Sequence, residues 1–373
     1  MKAYHTHICL VNHHPLENVL PLLDPVIAPK EVLFCASPSL LDEAEKLKNF
    51  AETRGIESTI IHLPEKHDLP SLQLAFMSMQ ISPQTTAINL SGGTKLMCLA
   101  AYEFLDDDIF RFCVERDHIY PVSQPDSFVY HDLANKIKLE DYFALYGWEV
   151  ISLSRKKTVL HDDLMDELFE RVDDFDKAIG LLNKLASEAD DNGSLEICHH
   201  RKFNDSQLEL MSKLYASNLL SYYDGNCIHF KDEKAVDFCR GFWIEEAAYL
   251  AMKKLDVQDF AISVAIKNDQ GIKNEIDGAF LHENQLYLME CKTSHLAREG
   301  KGTQTLYKMD TLVDYAGLHT IGILASYRPL EDFDLRRAQD LGIHIIQGTA
   351  LKNFPKHLEN IIEKHKPQPP LAD

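Results

Sequence analysis

The sequence has no run of 18 uncharged apolar residues, about the length a membrane-crossing helix needs. Its start, MKAYHTHICLVNHH, lacks the basic-then-apolar order of a signal peptide. These absences predict a cytoplasmic protein with no membrane partner. No CxxC occurs among the eight cysteines, at positions 9, 35, 98, 113, 198, 227, 239 and 291. Their scatter through apolar stretches predicts reduced, buried thiols rather than a disulfide framework. Cys198-His199-His200 lacks a second ligand pair at zinc spacing. GxxxxGKS/T and GxGxxG are both missing, which excludes a P-loop and a dinucleotide fingerprint. Basic residues are also short: 38 Lys and Arg stand against 58 Asp and Glu, a formal net charge of -20. A protein that coats nucleic acid through phosphate contacts needs the opposite balance. An enzyme that grips a polyanion locally, with a few cations and a bound metal, does not.

At 373 residues the chain predicts two or three domains. Its first 125 residues alternate apolar β-rich runs, HICLVN (7–12), EVLFCAS (31–37), STIIHL (58–63) and TAINLS (86–91), with helical stretches at 39–54, 70–80 and 94–105. Such alternation predicts a mostly parallel, doubly wound sheet, with IFRFCVER and HIYPVS as an edge hairpin. The middle, 141–235, reads as a helical connector in which ASEADDNGS (186–194) is a loop and a hairpin turns at DGN, a winged-helix-like arrangement. From 236 to 366 a second α/β unit is predicted, opened by one amphipathic helix, AVDFCRGFWIEEAAYLAMKKL, and centred on an antiparallel hairpin. The tail at 367–373 reads as disordered.

That hairpin, EIDGAFLH then QLYLMECK, carries the chemistry. A two-residue turn at Glu283-Asn284 sets Asp277 opposite Glu290 and Glu275 opposite Lys292. Side chains alternate along a strand, so all four project from one face. Directly opposed residues have Cβ atoms about 4.5–5.5 Å apart, and like charges there repel. Something positive should lie between them, and a hard divalent cation with oxygen ligands fits. Lys292 is placed to orient a metal-bound water and to stabilise charge on a phosphorane-like transition state. Leu286 and Leu288 share its face, so the charged end emerges from a buried surface, where charges need a reason.

EID, a hairpin and then ECK resembles the PD-(D/E)XK nuclease core. The resemblance implies Asp277 as the first acid, Glu290 as the second and Lys292 as the lysine, with the Cys291 carbonyl as a further metal ligand. Ile276 stands where the family has proline. An acid on the preceding helix often completes such sites; GFWIEE offers Glu245 and Glu246, of which Glu245 is preferred. Gln304 and Lys308, on the following helix, would meet the substrate backbone.

NLSGGTKLM (89–97) runs from strand to helix through two glycines, where backbone NH groups attract anions. Joined to GFWIEE and the EID/ECK hairpin, it resembles the CARF-nuclease fusions of type III CRISPR defence. The resemblance covers both ends of the chain. It implies a Rossmann-like CARF domain over 1–140 that dimerises and binds cyclic tetra-adenylate. Ser91, Gly92, Gly93, Thr94 and Lys95 match the ligand loop, with Asn12 and Ser37 at the ends of the first two strands. Ligands outside the carboxyl ends of parallel strands fit that placement. It further implies a nuclease over 236–366 that uses Mn²⁺ or Mg²⁺ to cut single-stranded RNA or DNA, or to nick duplex DNA. The alternative is a non-catalytic cyclic-oligoadenylate sensor or DNA-binding regulator.

Overall fold

The computed structural model describes residues 3–65, 68–115, 117–123, 132–133, 136–156, 161–296, 300–317 and 319–366. The expected disordered tail, 367–373, lies outside them. The chain divides into two units, one of residues 1–149 with 281–285, the other of 150–280 with 286–373.

The first unit runs β1 (Thr6–Leu10), α1 (Leu16–Leu23), β2 (Glu31–Ala36), α2 (Leu41–Glu52), β3 (Glu57–His62), α3 (Leu69–Met77), β4 (Thr86–Asn89), α4 (Lys95–Phe104), β5 (Phe110–Glu115), β6 (His118–Pro121) and α5 (Leu139–Leu145). The strand order is β3-β2-β1-β4-β5-β6, parallel from β3 to β5 and antiparallel at β6. This is the doubly wound, Rossmann-like sheet with its edge hairpin. Leu72 and Phe76 of α3 and Met97, Ala100 and Ala101 of α4 pack with Ile8, Leu10 and Ile88. Leu20 of α1 joins a separate cluster with Ala87, Phe110 and Phe112. Helix α1 escaped the sequence because Pro21 sits inside it and reads as a breaker.

His7 lies in β1 at 0% exposure, and among the described residues neither ring nitrogen has a hydrogen-bond partner. Burial pushes its pKa down to about 3, so the folded state holds it neutral. A depressed folded pKa stabilises fully above the unfolded value near 6.5 and is lost as pH falls toward 3. Replacing His7 by Leu should therefore flatten part of the acid limb of stability, by about 1.4 kcal/mol per pH unit below pH 6.5. Denaturant titrations of both proteins at pH 7 and pH 5 check it; parallel profiles would contradict it.

The second unit continues with β7 (Trp148–Ser154), α6 (Asp162–Glu170), α7 (Val172–Asn192), β8 (Glu196–Cys198), α8 (Asp205–Ala216), β9 (Leu220–Tyr223), β10 (Cys227–Phe230) and α9 (Glu233–Asp237). Then come α10 (Trp243–Lys253), β11 (Asp259–Asn268), β12 (Lys273–His282), β13 (Gln285–Lys292), α11 (Lys301–Tyr315), β14 (Ile321–Ser326), α12 (Asp332–Asp340), β15 (His344–Gln347) and α13 (Phe354–His365). A six-stranded sheet of order β15-β14-β13-β12-β11-β7 has the expected hairpin at its centre. A small antiparallel sheet of order β8-β10-β9, with α7 and α8 against it, gives the winged-helix-like connector. Its core is continuous with that of the α/β part: Phe175, Leu182 and Leu214 belong to one cluster with Trp243, Phe280 and Tyr327.

Three expectations need correction. The acidic stretch 186–194 is helix as far as Asn192, because Ala186 and Ala189 face the core; the break falls at Gly193, which takes the left-handed conformation at φ 62°. The single amphipathic helix is interrupted by a π-turn over Phe238–Phe242, with Gly241 at φ 132°. Cys198 and Cys227 are not free thiols but a disulfide. The antiparallel β8–β10 register sets them directly opposite each other, a pairing hidden by a separation of 29 residues.

Candidate active site and ligand loop

The hairpin forms with the two-residue turn that its sequence calls for. Glu283 and Asn284 have φ of 49° and 60°, both left-handed, as a type I′ turn requires. Strand β12 ends at His282 and β13 begins at Gln285, which fixes the register. The Cys291 NH donates to Asp277 Oδ2 at 2.7 Å, tying the first acid to the Glu290-Cys291-Lys292 step.

The cation between the acids is the Lys292 ammonium. It donates to Glu290 Oε1 at 2.7 Å, to the Cys291 carbonyl at 3.1 Å and to Asp277 Oδ2 at 3.4 Å. Lys308 Nζ reaches the Glu290 carboxylate at 3.3 and 3.4 Å from α11. Gln304 is exposed one turn earlier on that helix. Glu290 is only 5% exposed, so these two cations decide whether its charge is tolerable. Desolvation raises the Asp277 pKa and the Glu290 charge raises it further, against the pull of Lys292 and the Cys291 NH. Burial lowers the Lys292 pKa, but Asp277 and Glu290 outweigh it and the net shift is upward. The ammonium stays charged at neutral pH.

Glu245 comes to this group from α10, whereas Glu246 beside it is buried. Burial pushes the Glu245 carboxyl up to about 8, with Asp277 and Glu275 adding to the rise and Lys292 opposing it. Ser263 donates to Glu245 Oε2 at 3.4 Å from a left-handed backbone at φ 50° inside β11, a local kink of the kind that re-aims a side chain beside a site. Glu275 does not pair with Lys292. It is exposed and lines, with Glu245, Glu246, Ser263, Phe238 and Phe242, a cleft of about 340 Å³.

Gly241 explains the break before α10. A Cβ there would lie 2.4 Å from the Thr293 hydroxyl, and Thr293 follows Lys292 directly. The same hydroxyl hydrogen-bonds the Asn183 side-chain amide at 2.8 Å. The glycine lets the helix that carries Glu245 close on the end of the hairpin. GFW carried a signal for this in its glycine; nothing marked Asn183.

Among the described residues no group of three or more His, Cys, Asp or Glu side chains is gathered for a metal ion. Two carboxylates and the Cys291 carbonyl nevertheless converge on one ammonium. An all-oxygen set already holding a cation suits a hard divalent ion.

In the first unit the candidate ligand residues sit at the carboxyl ends of the strands. Asn12 follows β1, Ser37 follows β2, and Ser91 to Thr94 link β4 to α4. The order β2-β1-β4 makes this the point where successive strands depart in opposite directions, the usual crevice for a ligand in such sheets. Thr94 N-caps α4 by accepting from the Met97 NH at 3.3 Å. Lys95, the first residue of that helix, is exposed and has no ion pair among the described residues. Gly92 packs so tightly that a Cβ would meet the Leu10 carbonyl at 1.8 Å, and Gly93 takes φ 73°.

Several of the loop's polar side chains are already engaged. The Ser91 hydroxyl donates to Asn89 Oδ1 at 2.6 Å and accepts from the Val114 NH at 2.5 Å. Ser37 is buried, its hydroxyl 3.3 Å from that of Ser39. Asn12 Oδ1 accepts from the His14 NH at 2.9 Å. Beneath them, buried Asn89 donates to the Glu17 carbonyl at 2.8 Å and Asn18 to the Leu10 carbonyl at 2.8 Å. These two asparagines hold the loop. Asn89 opens the NLSGG motif and was open to recognition, but Asn18 lies in the unforeseen α1.

The chain carries a loop crevice at the strand ends of a doubly wound sheet and, in a second α/β unit, a carboxylate–lysine group on a hairpin. Residues 6–142 match the family described as the Card1 CARF domain, and residues 232–365 match the Card1-like endonuclease domain. The chain thus belongs with proteins that carry a Card1-type CARF domain followed by a Card1-like endonuclease domain. Its fold is similar to protein VC1899 from Vibrio cholerae, at 23% identity and TM-score 0.84 over 97% of this chain and 99% of that one. It is also similar to Can2 from Sulfobacillus thermosulfidooxidans, solved in complex with cyclic tetra-adenylate, at 22% identity and TM-score 0.77 over 97% of each. A type III CRISPR defence DNA nuclease activated by cyclic oligoadenylate aligns at 15% identity and TM-score 0.56 over 98% of this chain and 52% of that one. No curated protein matches the sequence. Among the described residues no helix is long and apolar enough to cross a membrane.

Proposed function

We propose that the protein is a nuclease of the PD-(D/E)XK type, metal-dependent and switched on by cyclic tetra-adenylate, that cleaves single-stranded RNA or DNA. The observation that carries the reading is the convergence of Asp277, Glu290 and the Cys291 carbonyl on the Lys292 ammonium, with Lys308 pairing Glu290 from the next helix. Asp277, Glu290 and the Cys291 carbonyl would hold Mn²⁺ or Mg²⁺, which when bound supplies Lewis-acid polarisation of the scissile phosphate. Lys292 then neutralises charge that develops on the phosphoryl oxygens, and Lys308 binds the strand backbone. Glu245, pushed up to about 8, holds its proton at pH 7 and is suited to donate it to the leaving oxygen as the phosphodiester bond breaks.

In the CARF domain, the loop from Ser91 to Lys95 would bind the cyclic nucleotide through its NH groups and the Lys95 ammonium. Its engaged hydroxyls shape that loop. Two copies pairing about a two-fold axis would share one ligand. The exposed Leu74 and Met77 of α3, with Leu99 and Tyr102 of the adjacent α4, supply apolar surface for a second copy to cover.

Calorimetry tests the metal assignment without needing cleavage. The wild type should take up one Mn²⁺ per active site, and Asp277→Asn should weaken that binding at least about tenfold. Equal affinity in the two proteins would remove Asp277 from the metal site.

A further inference from the structure

Beside the candidate active site lies a surface feature that the reading above does not use. Tyr307 of α11 and Phe333 of α12 are 49% and 54% exposed, so their rings are open to solvent. Arg337 lies over both, its guanidinium carbon 5.0 Å from the Tyr307 centroid and 4.5 Å from that of Phe333. It also donates from Nη1 to the Tyr307 hydroxyl at 2.8 Å. Among the described residues it has no carboxylate partner, in a chain with 20 more acids than bases.

The position of this group is fixed. Thr303 of α11 donates to Asp334 Oδ1 at 2.8 Å, and Gly302 leaves room for that carboxylate, whose Oδ2 would lie 2.2 Å from a Cβ there. Asp334 follows Phe333 directly, so the contact that docks α12 on α11 also sets the Phe333 ring. Tyr307 precedes Lys308, which reaches Glu290. Lys301 and Arg336, exposed on the same two helices, likewise lack ion pairs among the described residues. The α11–α12 surface that includes Lys308, the partner of Glu290, therefore offers aromatic faces and unneutralised cations together.

We infer that Tyr307, Phe333 and Arg337 form a stacking platform that takes an unpaired nucleobase of the substrate strand as the adjoining phosphate enters the site. Aromatic faces with arginine bind single strands without sequence preference, because every base has a π-face. A duplex keeps its bases stacked on one another and cannot use such a platform. The inference rests on the nuclease reading and assigns the residues that would favour single strands over duplex. An arginine that merely shields two surface rings would contribute a small increment to stability and nothing to substrate binding.

The test uses the full chain with Mn²⁺ and cyclic tetra-adenylate, acting on single-stranded RNA, single-stranded DNA and a blunt duplex. Tyr307→Ala and Phe333→Ala should each raise KM for single strands about 5- to 100-fold, with kcat changed far less. Tyr307→Phe and Phe333→Trp should keep KM near wild type, whereas Tyr307→Leu should not. The Leu and Phe variants keep an apolar cover and, with melting curves, stand in should an alanine variant fail to fold. Unchanged KM in the alanine variants, or Leu performing as well as Phe, overturns the platform and leaves the nuclease reading intact. A wild type that cuts nothing with both additions present overturns the nuclease reading and this inference with it.

Discussion

Glu290→Gln should reduce cleavage by at least about 10²–10³-fold, the scale on which removing one group that stabilises transition-state charge is felt, while leaving cyclic tetra-adenylate binding unchanged. The carboxylate is nearly buried and is the shared partner of Lys292 and Lys308. The amide has the same shape, so the strand keeps its packing and only the charge is lost. Lys292→Ala is the harsher version, because it leaves Asp277 and Glu290 facing each other without their cation. Breaking a buried pair in this way costs about 3–5 kcal/mol, and its loss of activity would mix chemistry with folding. Rates from single-turnover cleavage, read beside melting curves and ligand affinity, separate the two. A Glu290→Gln protein that cuts at the wild-type rate would remove the hairpin from the mechanism.

Gly92→Ala should abolish the response to cyclic tetra-adenylate. The added Cβ would sit 1.8 Å from the Leu10 carbonyl, and backbone cannot yield as a flexible side-chain tip can. Either the loop lifts from the end of β1 or the first unit loses stability, at a cost on the order of 1–3 kcal/mol or more. Both displace the NH groups and Lys95 from the crevice, and ligand affinity should fall by about tenfold at least. Gly225→Ala is the control, since nothing lies within 4 Å of its added Cβ. Equal affinity in wild type and Gly92→Ala would move the ligand site away from this loop.

The contrast between these two sites shows what a sequence can disclose. The hairpin was legible because its determinants are local: an alternating pattern, a Glu-Asn turn able to adopt left-handed backbone, and a register that follows from the turn alone. Asp277, Glu290 and Lys292 meet as that register requires. That the Lys292 ammonium reaches both acids was not legible, since the path of its side chain back across its own strand depends on burial. Glu275 illustrates the same limit: the register sets it opposite Lys292, but Lys292 turns to the more buried Asp277 and Glu290.

Long-range pairings were least visible. Nothing in the spacing of Cys198 and Cys227 announces that β8 lies beside β10 in reverse, and β7 gave no sign of belonging to the second sheet. Helix α1 was masked by its internal proline. Gly241 could be read as a glycine but not as the point where α10 passes Thr293. In the ligand loop, the resemblance implied Ser91 as a contact residue, and its hydroxyl also braces the loop through Asn89 and the Val114 NH.

The central claim is that catalysis requires two small molecules acting at different domains, and one measurement addresses it. Purified full-length protein is incubated with labelled single-stranded RNA and DNA in four conditions: no addition, Mn²⁺ alone, cyclic tetra-adenylate alone, and both. The account predicts cleavage only with both present. Cleavage with Mn²⁺ but no cyclic nucleotide would contradict the activation, and cleavage with the nucleotide in the presence of a chelator would contradict the metal-dependent site.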